Sequence, residues 1–243
     1  SFSVITDYST NIKYPLADFE ITPDIAVLDF DIPLTMPKTL TAHTGMDALT
    51  HAIEAYVALN RSAFSDAFAI KAISDIFDNL LDSYNGDEQA RGKMHVAQCI
   101  AGLAFSNALL GIAHSIAHKT GAVFHIPHGC CNAILLPYVI QYNSRVCMER
   151  YAQIAKAVGL PGNTDKQLTN SLVDAIRSLN AKLDIKPTYR ENGVSEETYK
   201  EHEQTIAENA VKDPCTSANP RPTDAQAMRK VLACAYYGQD VAF

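Results

Sequence analysis

The chain has 243 residues, 47% hydrophobic and 19% charged, enough to bury a sizeable core and too apolar for a disordered or low-complexity segment. Its 20 basic and 27 acidic side chains give a formal net charge of −7, and no Lys/Arg-rich block occurs, which argues against nucleic acid or an anionic membrane as a partner. No apolar run approaches the roughly 18 residues of a membrane span, and Ser1–Asp7 has neither a basic stretch nor an apolar signal core. The expectation is a soluble cytoplasmic protein. The 6 cysteines include no C-x-x-C pair and read as reduced thiols.

In chain order, Val4-Ile5 and Ala26-Val27-Leu28 read as short strands, joined by a loop that holds Asn11, Pro15 and Pro23. Such strands bury too little to fold alone. Residues 1–31 are therefore expected to be the remnant of a larger N-terminal domain, with Ser1 at its cut edge. After Pro37 the pattern turns helical: Met46, Leu49, Ile53 and Tyr56-Val57 recur at helical spacing, as do Ile70, Ile73 and Phe77. Residues 97–117 are apolar nearly all round and rich in Ala, Gly and Ser, which predicts one central helix packed on every side. A further apolar stretch at 132–142 is interrupted by Pro137, and helices are expected at 145–158 and 165–183. Thr164…Gln167 and Thr223…Gln226 have capping-box spacing, the second for a terminal helix. Residues 213–222, with Pro214, Pro220 and Pro222, read as a loop. The expected fold class is mainly α, an all-helical domain over 32–243 behind a short β stub.

Chemistry concentrates in one set of residues. Of the 8 histidines, His114, His118, His125 and His128 fall within one short segment. Asp47 and His51 are four apart and share a helix face; His114 and His118 repeat that spacing. His128 follows in a stretch that Pro127 and Gly129 mark as a loop. Two helices and a loop thus offer one carboxylate and three imidazoles, a set that suits Fe(II) or Zn(II) and suits Mg or Ca poorly. Plainer readings exist: Asp47 as the partner of Thr44 in a capping box, or each histidine as an ordinary hydrogen-bonded core residue. Several unsatisfied polar groups on apolar helices would cost several kcal/mol, and a metal satisfies them together. The spacing indicates a metal site and says little about the reaction.

Gly45-Met46-Asp47-Ala48-Leu49-Thr50-His51-Ala52-Ile53-Glu54-Ala55-Tyr56 and Gly111-Ile112-Ala113-His114-Ser115-Ile116-Ala117-His118-Lys119 resemble the two signature segments of the iron-containing (group III) alcohol dehydrogenases. Phe124-His125-Ile126-Pro127-His128-Gly129 and Asn132–Pro137 continue the likeness. Asp213–Arg221 and Tyr236-Tyr237-Gly238 narrow it to the C-terminal alcohol dehydrogenase part of bifunctional aldehyde–alcohol dehydrogenases.

The resemblance implies a helical metal-binding domain of the dehydroquinate synthase-like C-terminal type, behind a nucleotide-binding α/β domain. It implies Asp47, His51, His114 and His128 as metal ligands and His118 as the catalytic residue, a proton relay beside substrate and nicotinamide. Lys13, near the cofactor ribose, and Phe30, lining the same cleft, are implied cofactor contacts. Glu54 inherits no role and is expected to support the site from behind. His43, His95 and His202 read as surface or structural, and His125 lies near the ligands without being one. The implied reaction is NAD(H)-linked interconversion of a short primary alcohol and its aldehyde, such as ethanol and acetaldehyde, with Fe(II) or Zn(II) as Lewis acid. The complete enzyme is expected to be a homo-oligomer, filament-forming in the bifunctional form. The family's Gly-Gly-Gly-Ser phosphate loop is absent from these residues, so this chain alone is expected to be inactive. The alternative is a non-catalytic metal-binding helical module that serves assembly. A metallohydrolase would need a second bridged metal and adjacent His-Asp ligands, which the sequence lacks.

Overall fold

The computed structural model describes residues 2–7 and 12–243, with the backbone alone for 2–7, 12–17 and 19. Strand β1 (Phe2–Asp7) pairs antiparallel with β2 (Ile12–Ala17), Val4 opposite Pro15 and Thr6 opposite Lys13. The second strand is therefore not at 26–28, as the apolar run suggested. In a two-stranded ribbon every strand is an edge, where proline is tolerated, so Pro15 lies inside β2 instead of ending it. Ala26–Leu28 is irregular, and Val27 is 85% exposed.

Eight helices follow among the described residues: α1 (Lys38–Val57), α2 (Ala63–Asn85), α3 (Glu88–Ala108), α4 (Ile112–Phe124), α5 (His128–Ala157), α6 (Asp165–Lys182), α7 (Glu196–Val211) and α8 (Ala225–Tyr237). The mainly α expectation holds. Ser62, Asp87, Thr164, Ser195 and Asp224 each accept a first-turn backbone N–H of the helix they precede, supplying partners for orphaned donors. The cap of α8 is thus Asp224, not Thr223. Thr164 caps α6 as expected, while the Gln167 side chain accepts from Asn163 N instead of completing the box. Thr44 lies within α1, its hydroxyl donating to the Leu40 carbonyl, so the capping-box reading of Asp47 falls. The segment 213–222 contains a short 3-10 turn, Pro214–Ala218.

Two helix boundaries differ from the sequence reading. The single helix over 97–117 breaks at Leu109–Gly111, and α3 and α4 meet at 109°. Leu109 turns the chain with φ 63°, and a Cβ on Gly111 would stand 2.8 Å from Glu54 Oε1 and 2.9 Å from Asn219 Oδ1. Only glycine lets the start of α4 come that close to both. Conversely, α5 runs straight through Pro137 and departs from helical geometry at Cys147 (φ −138°, ψ 38°). A mid-helix proline costs about 3 kcal/mol; burial of nearly every residue from Gly129 to Asn143 outweighs it. His128 consequently opens a helix and is not part of a loop.

Helix α1 is the hub, buried along most of Thr41–Val57 and packed by α2, α3 and α5. The α1–α5 approach is so close at Gly129 that a Cβ there would collide with the His43 carbonyl and meet Asp47 Cβ at 3.2 Å. This contact brings the start of α5 against the Asp47 face of α1. All six cysteines are free thiols. Among the described residues no single helix is long and apolar enough to cross a membrane.

Candidate metal centre

Three helices deliver the polar cluster. Asp47 and His51 lie one turn apart on α1, His114 is in the first turn of α4, and His128 begins α5. Donor atoms of Asp47, His114 and His128 all lie within 4.8 Å of one another. Nε2 of His114 is 3.6 Å and Nε2 of His128 3.5 Å from Asp47 Oδ1, too long for hydrogen bonds but right for atoms facing a shared cation. His114 is 1% exposed, and its Nε2 has no hydrogen-bond partner. An unpaired buried polar atom costs about 1–3 kcal/mol. A divalent metal accepting that lone pair removes the penalty, so these residues fit one.

The other face of the His114 ring is fixed. Its Nδ1 donates to Glu54 Oε2 at 2.6 Å, and Glu54, 3% exposed, accepts the Ala113 backbone N–H through Oε1 at 2.8 Å. The carboxylate thus sits at the positive end of α4 and selects the tautomer that leaves Nε2 free for a metal. His51 stands beside the cluster, its ring stacked between Phe105 (4.6 Å) and His114 (4.5 Å). A stacked ring offers its face, not a lone pair, and the His51 nitrogens lie outside the group of mutually close donors. A cavity of about 270 Å³ opens alongside, lined among others by Asp47, His51, Met94, His95 and Gln98.

His118, one turn beyond His114, stacks its ring on His128 at 5.2 Å and meets His114 edge-on at 6.0 Å. Its Nδ1 lies 3.0 Å from Asp213 Oδ2, the oxygen that also accepts from Lys119 Nζ at 2.8 Å. Phe30 packs over Gly92 in an open groove between α2 and α3 of about 940 Å³, which none of the four expected ligands lines. Lys13 stands in β2, and its side chain lies outside the described residues. His125 ends α4 with a left-handed backbone and is exposed; His202 sits beside Glu201 on the surface of α7.

Residues 41–236 match the profile of the Fe-containing alcohol dehydrogenase family, C-terminal part. The chain belongs to this family. It is 58% identical over 243 residues to an NADPH-dependent butanol dehydrogenase of Clostridium saccharobutylicum, covering all of this chain and 63% of that protein. It is 43% identical over 252 residues to an aldehyde-alcohol dehydrogenase of Streptococcus pneumoniae, covering 98% of this chain and 28% of that one. The solved iron-containing alcohol dehydrogenase of Thermococcus thioreducens superposes with a TM-score of 0.90 at 36% identity, over 98% of this chain and 61% of the other. The chain therefore spans under two thirds of these relatives' length.

Within this alcohol dehydrogenase domain, two site partners carried no role in the sequence reading. Asn132, one turn after His128 on α5, donates Nδ2 to Asp47 Oδ1 at 2.6 Å and stands 3.1 Å from His128 Nε2. Asp213 holds His118. Neither has a spacing that advertises it: Asn132 becomes an i, i+4 neighbour only once His128 is placed in a helix, and Asp213 is far from His118 in sequence.

The electrostatics follow from burial and crowding. Burial favours the neutral acid of Asp47, but the imidazoles of His114, His51 and His128 outweigh it and hold Asp47 well below the usual carboxylate range. Burial, reinforced by the charge of His114, pushes His51 down to about 3, so it is neutral at pH 7 as a ligand must be. Burial also pulls His114 down, yet Asp47 and Glu54 overcome it and raise the ring to about 9. Metal entry at neutral pH must therefore displace a proton.

Burial opposes the charge of Asp213, while the hydrogen bonds of His118 and Lys119 depress it below its ordinary 3.8. A depressed acid stabilises the fold fully above its unfolded value and loses that contribution as the pH falls through the folded one. The stability gap between wild type and Asp213→Asn, measured by urea unfolding, should be wide at pH 6 and narrower at pH 2, with the loss starting only below about pH 4. An equal gap at both would contradict this electrostatic assignment.

Proposed function

We propose that this chain is the metal-binding catalytic part of a nicotinamide-dependent dehydrogenase that interconverts a short primary alcohol and its aldehyde, with ethanol and acetaldehyde as the reference pair. Asp47, His51, His114 and His128 would hold one Fe(II) or Zn(II). The observation that carries this reading is the orphaned Nε2 of His114, buried among Asp47 and His128 and aimed by Glu54. His51, one turn from Asp47 on α1, would join the set by turning a ring nitrogen out of its stack on His114. When bound, the metal supplies Lewis acidity at the substrate oxygen and the dinucleotide exchanges the hydride.

The chain's own residues do the rest. With a metal bound, Asp47 would bring the one carboxylate charge among three imidazoles, His114 having given up its proton. Glu54 fixes the orientation of His114 through its Nδ1. His118, 36% exposed at its side chain and stacked on His128, takes the hydroxyl proton during oxidation and returns it during reduction, with solvent access for exchange. The cavity beside Asp47 and His51 gives a small substrate room. Residues 32–243 form the catalytic domain, whereas 1–31 go with the nucleotide-binding part and bring Lys13 and Phe30 toward the dinucleotide. Pyrophosphate binding calls for backbone amides of a Gly-rich loop at a helix start. These 243 residues contain no Gly-Gly-Gly-Ser loop, so we assign that role to residues beyond them.

NAD(H) is the proposed dinucleotide; the NADPH dependence in the name of the butanol relative makes NADP(H) the competitor. A homo-oligomeric enzyme of the cytoplasm, filament-forming in a bifunctional chain, completes the reading.

The test compares the 243-residue chain with the full-length protein from its gene, both loaded with Fe(II), on ethanol and 1-butanol with NAD and NADP. Metal-dependent NADH formation by the full-length protein and negligible turnover by the shorter chain are expected. Robust turnover by the 243 residues alone would show that the cofactor site is misplaced. A full-length protein that binds metal without oxidising either alcohol would favour the non-catalytic assembly role.

A further inference from the structure

The ring of His118 has two nitrogens, and the fold gives them different work. Nδ1 lies 3.0 Å from Oδ2 of Asp213, a residue only 5% exposed at its side chain. A carboxylate only accepts, so Nδ1 carries the hydrogen and Nε2 is left with the lone pair. Asp213 is itself anchored from two sides: Oδ1 accepts the Cys215 backbone N–H at 3.1 Å, and Oδ2 accepts from Lys119 Nζ at 2.8 Å. The turn that carries it is tied to α4 by Thr216, whose hydroxyl oxygen lies 2.8 Å from Ser115 Oγ. The carboxylate is thus a fixed object, while His118 is half-open to solvent.

Donor atoms of His118, Asp213 and Cys215 also lie within 4.8 Å of one another, the arrangement a second metal would want. Lys119 argues against that use. It already places a cation on the same Asp213 oxygen, and a metal there would have to displace it.

We infer that Asp213 is a positioning residue that locks His118 in its Nδ1–H tautomer, so that Nε2 is the nitrogen through which His118 exchanges the substrate's proton. The step balances simply. In oxidation the alcohol O–H bond breaks, its proton goes to His118 Nε2, and the imidazolium then returns that proton to solvent; a bound nicotinamide would supply the acceptor for the hydride, the electron pair of the C–H bond. Asp213 stays ionised throughout and stabilises the imidazolium. This inference rests on the proton-relay role proposed above for His118.

The variant Asp213→Asn separates the functions of the side chain. Its amide oxygen still accepts from Cys215 N, but the amide nitrogen that replaces Oδ2 cannot accept from His118 Nδ1–H. Long-range 15N NMR of the imidazoles, read on wild type and variants, reports the tautomer directly and needs no turnover. Wild type is expected to show His118 as Nδ1–H. In Asp213→Asn the population should move to Nε2–H, Asp213→Glu should restore part of the Nδ1–H form, and Lys119→Met should keep it. In the full-length, metal-loaded enzyme Asp213→Asn should lower kcat about 10- to 100-fold, part of the roughly 10²–10⁴ that a positioned acid–base supplies in full. The alcohol KM and the metal content should change little, and His118→Ala combined with Asp213→Asn should be no worse than His118→Ala alone.

A wild-type His118 found as Nε2–H or as an even tautomer mixture would overturn the inference. So would a tautomer unmoved by Asp213→Asn in a variant whose unfolding at neutral pH remains cooperative. If His118→Ala leaves kcat intact while the tautomer responds as expected, the relay role fails and the hydrogen bond stands. If His118→Ala is slow but neither tautomer nor kcat responds to Asp213→Asn, the relay stands and the positioning role fails. A zinc-induced shift of His118 together with Cys215 would mark a second metal site and also overturn it.

Discussion

Replacing His114 with alanine should abolish specific metal binding and, with it, the metal-induced rise in melting temperature. His114 supplies the one buried donor of the cluster that has no other partner, and its ring is the surface on which His51 stacks. A ligand that binds only the folded state stabilises it by about 4 kcal/mol at a concentration 1,000-fold above its Kd. Calorimetry with Fe(II) or Zn(II) and with chelator should therefore show a large metal-dependent gap in wild type and none in His114→Ala. The chelated variant should also melt below chelated wild type, because Glu54 loses its buried partner. His202→Ala, on the surface of α7, should keep the full gap. A gap of the same size in His114→Ala would mean that the cluster is ordinary core.

The second large effect is expected at Glu54, which touches no metal in the proposed scheme. It satisfies two buried donors at once, Ala113 N–H and His114 Nδ1–H. Removing a partner that orients a metal-binding histidine typically weakens affinity about 10- to 100-fold. Glu54→Gln keeps the shape but brings an NH₂ against one of the two donors, so competition with a chromogenic chelator should show a loss in that range. Glu54→Ala leaves both donors unpaired, at about 1–3 kcal/mol each, and should lower the melting temperature of the metal-free protein as well. Wild-type affinity in Glu54→Gln would show that His114 orientation is set by packing alone.

That polar residues would cluster was legible because Asp47 and His51, then His114 and His118, are each four apart on largely apolar helices; the fold brings Asp47, His114 and His128 into one close group and leaves His51 beside it. Glu54 was visible only as a third polar residue on the Asp47–His51 face, and its partner on α4 depends on the break at Leu109–Gly111. That break was hidden because apolar residues continue on both sides of it and α4 buries its first turn; the polar pair Ser106-Asn107, with Asn107 exposed, is the mark of the corner that the apolar count passed over. Pro127 and Gly129 concealed the helical start of α5, since proline ahead of a helix and glycine at a close helix contact look like loop residues in sequence. Helix α7 was not anticipated, because it is largely charged and buries only Tyr199, Ile206, Ala207 and Ala210. Long-range partners such as Asp213 have no local signature, and only the fold reveals them.

The central claim is that Asp47, His51, His114 and His128 bind one divalent metal, and X-ray absorption at the metal edge of the zinc-loaded chain tests it most directly. Zn–N distances lie near 2.0–2.1 Å and Zn–S near 2.3 Å, so the two candidate donor sets among the described residues are separable. Three imidazoles and one carboxylate oxygen, with no sulfur in the first coordination shell and the signal lost in His114→Ala, are the predicted result. A sulfur scatterer near 2.3 Å would place the metal with Cys215, His118 and Asp213 and contradict the account.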